Sequence, residues 1–319
     1  MTQSLRTLLA GLIDYAGLFP PAKLDMGKSA EAFARHLRGE HEFALGRFIC
    51  PVSRLGELTK AASALMPGTF ATSGYREYAE STRPWSISAI LDGPLPDSFV
   101  ESLDEIDAFN EHHSQEQNGL ARIDTIELKV TRPDAIDEVL DELPEEVFPF
   151  FEFDMAQDCR GFVAALAGNA DSGGAAAKLR CGGVKPEMIP STEQVADALL
   201  ALAAADVPFK ATAGLHHPCR SVQNLTYEAS PPRAVMHGFV NVFLGAALAR
   251  AHRLERDAML RVLGEEDPGA FGFTEVGASW RELSIDTASL AKVRETFALS
   301  YGSCSFDEPF EDLAKLGVL

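Results

Sequence analysis

The chain has 319 residues, 46% hydrophobic and 24% charged, and its 28 Lys and Arg against 47 Asp and Glu leave a net charge of −19. That apolar mass fills a large core, in one big domain or two small ones. A strongly acidic chain without a basic run or basic-aromatic interleaving disfavours nucleic acid and anionic membrane as partners and points to a small-molecule substrate, with a homo-oligomer left open. Five scattered cysteines, Cys50, Cys159, Cys181, Cys219 and Cys304, never fall in a Cys-x-x-Cys spacing, so a disulfide framework and a structural zinc site are both disfavoured. The apolar stretch at 8–13 ends at Asp14, too short for a signal core or a bilayer span, so a cytoplasmic location is expected.

Residues 1–45 read as an N-terminal extension packing on the main fold, with 14–21 (DYAGLFPP) as a compact unit in which Asp14 is a minor site candidate. Beyond it, short apolar runs at 47–52, 86–91, 125–130, 147–154, 176–180, 208–214, 270–276 and 298–304 alternate with segments of helical period. Helices are predicted over 97–110, from Thr131 onward, over 191–205 behind a Ser191/Gln194 capping box, and over 237–252. Eight strand-helix units predict one (β/α)8 TIM-type barrel over 1–319, with a doubly wound open sheet as runner-up. No Gly-x-Gly-x-x-Gly phosphate loop follows a first strand. The long loop at 218–234, with Pro231 and Pro232, has the length of a functional loop.

The informative feature is a violation of patterning. Strands of a parallel sheet are covered on both faces and read as continuous apolar runs, yet four neighbouring candidates alternate apolar with polar residues at period two. Glu127 and Lys129 alternate with Ile126, Leu128 and Val130; Glu152 and Asp154 with Phe151 and Phe153; Lys178 and Arg180 flank Leu179; Lys210, Thr212 and Gly214 oppose Phe209, Ala211 and Ala213. The outer face of a barrel packs against helices, so the charged sets are expected to point inward and to pair, since unpaired buried charges cost several kcal/mol each. The competing reading is an ion-pair network that only fixes the packing. Lys129, Asp154, Arg180, Thr212 and Gly214 fall at the C-terminal strand ends, where active sites of this fold lie.

Lys178 and Lys210 sit at equivalent depth on the fifth and sixth candidate strands, whose backbones are about 4.8 Å apart. Two desolvated ammonium groups that close are expected to lower each other's pKa and free an amine to attack a carbonyl. Glu152 and Asp154 would move protons, and Arg180, Lys129 and Glu127 would bind substrate.

The run Phe209-Lys210-Ala211-Thr212-Ala213-Gly214 resembles the sixth-strand motif of class I aldolases of the deoxyribose-phosphate aldolase type, in which a Schiff-base lysine precedes small and hydroxyl residues and a glycine. The resemblance covers six residues and implies that Lys210 is the Schiff-base lysine. In that family a second lysine stands on the seventh strand; here the second lysine is Lys178, on the fifth candidate, and 270–276 has none.

After the sixth candidate come His216 and His217, at the expected rim. One alternative combines them with Glu152, Asp154 and His237 around a divalent metal ion for lyase or isomerase chemistry. A second alternative is a non-catalytic ligand-binding or assembly protein. Ser303 and Ser305, at the turn after the last strand, are candidates for an anion cradle; Glu308 reads as a first-turn acid of a helix and Cys304 as a small buried side chain. The leading expectation is a metal-independent lyase of the aldolase kind, without a cofactor, acting on a small, anionic carbonyl compound.

Overall fold

The computed structural model describes residues 1–68, 83–93, 98–169 and 174–319. Eight parallel strands close into a barrel: β1 (Ile13–Tyr15), β2 (Leu45–Pro51), β3 (Trp85–Ile90), β4 (Ala121–Lys129), β5 (Phe148–Glu152), β6 (Ala176–Arg180), β7 (Phe209–Thr212) and, as the eighth stave, β13 (Ala298–Ser303). With helices around it, this is a (β/α)8 TIM-type barrel. Apolar outward residues of the staves meet the helices. Phe209 packs on Phe243 of the helix Phe239–His252, Tyr301 on Phe239, and Phe153 lies flat on Phe162 of the helix Arg160–Gly168. Helix ends follow local chemistry: Ser191 Oγ accepts from Gln194 N while Gln194 Oε1 accepts from Ser191 N, so both ends of the capping box are closed.

Two expectations about the staves are corrected. The run at 270–276 is not a stave: β10 (Phe271–Phe273) pairs antiparallel with β11 (Gly277–Trp280), which pairs with β12 (Leu283–Asp286), in a small sheet outside the barrel. Its burial is one-sided, with Phe271 buried and Val276 78% exposed, unlike a stave covered on both faces. The missing stave is β1, inside the region read as an extension. It joins β13 to β2 through Ile13, Asp14 and Tyr15, all buried. The candidate strands at 176–180 and 208–214 are therefore the sixth and seventh staves. Among the described residues no helix is long and apolar enough to cross a membrane.

Between β7 and β13 the chain makes a long excursion, beginning with the hairpin β8 (Ser221–Asn224) and β9 (Arg233–Met236), whose Asn224, Leu225 and Tyr227 border the barrel mouth. At the opposite end, buried Arg294 binds the first helix, Gln3–Leu9, to the last stave: its guanidinium donates to the carbonyls of Leu8 (2.8 Å), Ala10 (3.1 Å) and Leu299 (2.7 Å). Those carbonyls have little water to turn to. Arg294→Met is therefore expected to lower the unfolding free energy by about 3 kcal/mol in a denaturant titration. A loss under about 1 kcal/mol would show that the clamp is dispensable.

Candidate active site

Inside the barrel the inward side chains of four neighbouring staves, with β1, form a ladder of alternating charge. At its foot Asp14 receives Ser300 Oγ (2.7 Å), the Arg47 backbone amide (2.8 Å) and Lys210 Nζ (2.6 Å). Lys210 Nζ also donates to Glu127 Oε1 (2.7 Å), which accepts Ser88 Oγ as well (2.7 Å), and it lies 5.0 Å above the Phe150 ring. The other Glu127 oxygen faces Lys178 Nζ at 3.0 Å; Lys178 Nζ is in turn 2.8 Å from Glu152 Oε2. Arg180 Nε donates to Glu152 Oε1 (2.9 Å), and Lys129 Nζ stands 3.6 Å from the same oxygen. The order from floor to rim is Asp14, Lys210, Glu127, Lys178, Glu152 and Arg180, with each charge next to its opposite.

Strand register makes this possible. Lys178 pairs with Lys210 across β6 and β7, and Glu152 pairs with both Lys129 and Lys178 across β4, β5 and β6. All four therefore point to the same side of the sheet. Burial opposes the charge on Glu127, but the ammonium groups of Lys210 and Lys178 outweigh it and hold this carboxyl far below the usual range. Glu152 is lowered likewise, with Lys178 and Arg180 overcoming its burial. For Lys178 the expected depression is corrected. Burial does work against its charge, but Glu127 and Glu152 lie in direct contact on either side, and together they raise it above the ordinary lysine value. Two touching anions outweigh the burial.

A cavity of about 960 Å³ opens at the C-terminal ends of the staves. Glu127, Lys129, Glu152, Lys178, Arg180, Thr212, His216 and His217 all border it. Lys210 does not: it is completely buried beneath the cavity between Asp14 and Glu127, so its expected role as the attacking amine is corrected by access. Of the two, Lys178 reaches the cavity, with its Nζ 3.0 Å from Glu127 Oε2 and 2.8 Å from Glu152 Oε2.

Other candidates are placed differently. Asp154 lies beyond the end of β5, exposed, with Oδ1 accepting from the Ala156 amide, a local turn rather than a proton relay. Ser303 Oγ donates to the Ser305 carbonyl and Ser305 Oγ accepts from the Glu308 amide, so these hydroxyls serve the turn and the helix Asp307–Lys315 and do not border the cavity. His237 Nε2 donates to the Pro190 carbonyl, away from the cavity. Among the described residues no three His, Cys, Asp or Glu side chains converge as a metal shell, and the set Glu152, Asp154, His216, His217 and His237 is dispersed over separate partners. The glycine pair serves the backbone: a Cβ on Gly182 would stand 2.7 Å from the Gly214 Cα, and Gly214, at φ +75°, turns the chain toward the two histidines.

The sequence reading missed one group. His216 Nδ1–H donates to Glu308 Oε2 (2.7 Å), its Nε2 stands 3.9 Å from Cys304 Sγ, and the Tyr227 hydroxyl donates to Glu308 Oε1 (2.9 Å). His217 has its own acid, with Nδ1 2.5 Å from Asp312 Oδ2. Sequence separation of 88 residues hid the Cys304–His216 pair.

The depressed carboxyls fix an acid limb of stability. A group whose pKa falls on folding stabilises the fold fully above its ordinary value, 4.5 for glutamate, and loses that contribution as the pH drops below it. The melting temperature is therefore expected to fall steeply below about pH 4.5, and Glu127→Gln to start lower and fall less. A wild-type melting temperature unchanged down to about pH 3 would refute the ladder's energetic role. No family model matches the chain, and neither a curated protein nor a solved structure matches it.

Proposed function

We propose that the protein is a lyase of the aldolase kind, acting on a small anionic carbonyl compound through a Schiff base on Lys178. The single observation that carries this reading is the placement of Lys178 at the cavity floor, between two carboxylates, with its charge partners continuing both below and above it.

The amine must lose a proton before it can attack. Glu152 Oε2, 2.8 Å away, can take it without involving solvent, which turns the ion pair into a neutral pair suited to a partly dry site. The lysine nitrogen then adds to the substrate carbonyl to give a carbinolamine. Protonated Glu152 returns the proton to the departing oxygen, water leaves, and an iminium remains. That cation occupies the place of the ammonium between Glu127 and Glu152, so the alternation of the ladder is restored and Lys210 need not change state. The iminium withdraws electrons from the adjacent carbon. When a base removes the proton of a hydroxyl one carbon further on, the carbon-carbon bond breaks to an aldehyde and an enamine. Glu152, again ionised, is placed to be that base; protonation of the enamine carbon and hydrolysis release the second product. Arg180 and Lys129, side chains 37% and 72% exposed at the rim, supply positive charge for an anionic group on the substrate.

The resemblance to deoxyribose-phosphate aldolase-type enzymes bears on this in a changed way. The Lys210 hexapeptide lies on the seventh stave, while the sixth stave, where that resemblance puts its Schiff-base lysine, carries Lys178. Position and access thus favour the same lysine.

Sodium borohydride added to the protein with a panel of aldehydes and keto acids tests the reading by site-resolved mass spectrometry. A reduced adduct is expected on Lys178 and not on Lys210, and Lys178→Met is expected to lower turnover by roughly a thousandfold or more. No adduct with any carbonyl, an adduct on Lys210, or full turnover in Lys178→Met would overturn it.

A further inference from the structure

The cavity has a second nucleophilic group in its wall, on the staves farthest in chain order from the carboxylates of the ladder. Cys304 stands just after β13, His216 in the loop after β7, and Glu308 in the first turn of the helix that follows β13; all three border the cavity. The distances run in series, Sγ to Nε2 3.9 Å and Nδ1 to Glu308 Oε2 2.7 Å, which is a nucleophile, a base and an orienting acid. The first distance is long, as such contacts often are before substrate binds. Titratable groups facing the set are the Tyr15 phenol from β1, the Tyr227 phenol from the loop joining β8 and β9, and His217 with Asp312.

Burial opposes the charge on His216, yet its bonds to Cys304 and Glu308 push its pKa up to about 10, so an imidazolium faces the sulfur at neutral pH. Burial pushes Cys50, Cys181 and Cys219 up to about 12 and raises Cys159 as well. A cation beside a cysteine sulfur is the setting that makes a thiol reactive.

We propose that Cys304 is a nucleophile that accepts the acyl group of an activated ester or thioester, with His216 as its proton donor and Glu308 as the residue that positions the imidazole. Sγ bonds to the carbonyl carbon while the C=O pair moves to oxygen. As the pair returns, the bond to the leaving group breaks and the Nε2 proton of His216 goes to that group. The products are a thioester on Cys304 and the free alcohol or thiol. Water then attacks the thioester, neutral His216 takes its proton, and the carboxylic acid departs with the thiol anion and imidazolium restored. No oxidant or reductant enters.

Two measurements on the full-length protein test this. In native wild type, iodoacetamide is expected to alkylate Cys304 at least about tenfold faster than any other cysteine. p-Nitrophenyl acetate is expected to release a burst of one equivalent of nitrophenolate and leave one acetyl group on Cys304. His216→Asn should slow that acylation roughly a hundredfold, and Glu308→Gln should slow it by about tenfold, with Glu308→Asp recovering part of the loss. Alkylation of Cys304 no faster than the rest, or acetyl groups found only on lysines, would overturn the proposal. Neither readout depends on Lys178, so this proposal and the Schiff-base reading can fail separately.

Discussion

Glu127 is the residue on which the interior depends. It is 1% exposed, lies at the centre of a closed barrel, and gives one oxygen to Lys210 and the other to Lys178. Two ammonium groups on adjacent strands at matched register would repel each other strongly in so dry a place. A single carboxylate shared between them turns that repulsion into a bridge. Asp14 below and Glu152 above repeat the device, so every buried charge of the ladder has an opposite neighbour and the desolvation cost is offset along the whole line. A buried network of this kind is a weak source of stability compared with well-packed apolar residues of the same volume, yet removing any one member is strongly destabilising because it strands a buried charge.

Position along the ladder separates the two lysines. Lys210, at the bottom, has no access and is held by hydrogen bonds to two carboxylates. Lys178, one rung higher, borders the cavity between Glu127 and Glu152. The chain thus places a charge-balancing lysine under an accessible one, and the mouth above them is shaped by the Gly182–Gly214 contact and by the loop that brings His216 and Tyr227 to Glu308. Staves β1, β4 and β5 supply the carboxylates of the ladder, and the segments after β7 and β13 supply the imidazole and thiol.

Much of this was legible in the sequence, because parity on a strand is a strong constraint. Period-two alternation of charge on four successive staves leaves no choice of face once helices cover the outside, and Phe153, Phe209 and Tyr301 are found against helices as that rule requires. Other features lie outside what parity can reach. A three-residue stave with an aspartate at its centre has no apolar run to detect, so β1 was hidden while the one-sided strand at 271–273 took its place in the count. Asp154 has the right parity but falls past the last ladder pair, where the chain has already turned. The sign of the Lys178 shift depends on which charges touch, and distances of 2.8 and 3.0 Å to carboxylates cannot be read from spacing. The Cys304–His216 contact joins loops after different staves, which only closure of the barrel brings together.

A double-substitution cycle on Glu127 and Lys210, followed by denaturant unfolding, tests the shared-carboxylate claim most directly. Glu127→Gln and Lys210→Met are each expected to cost about 3–5 kcal/mol, because each strands a buried charge. Combined, they should cost at least about 1 kcal/mol less than the two single losses together, since the second change removes one of the charges that the first left unpaired. Strict additivity, or single costs below about 1 kcal/mol, would contradict the idea that one carboxylate holds the two lysines in place.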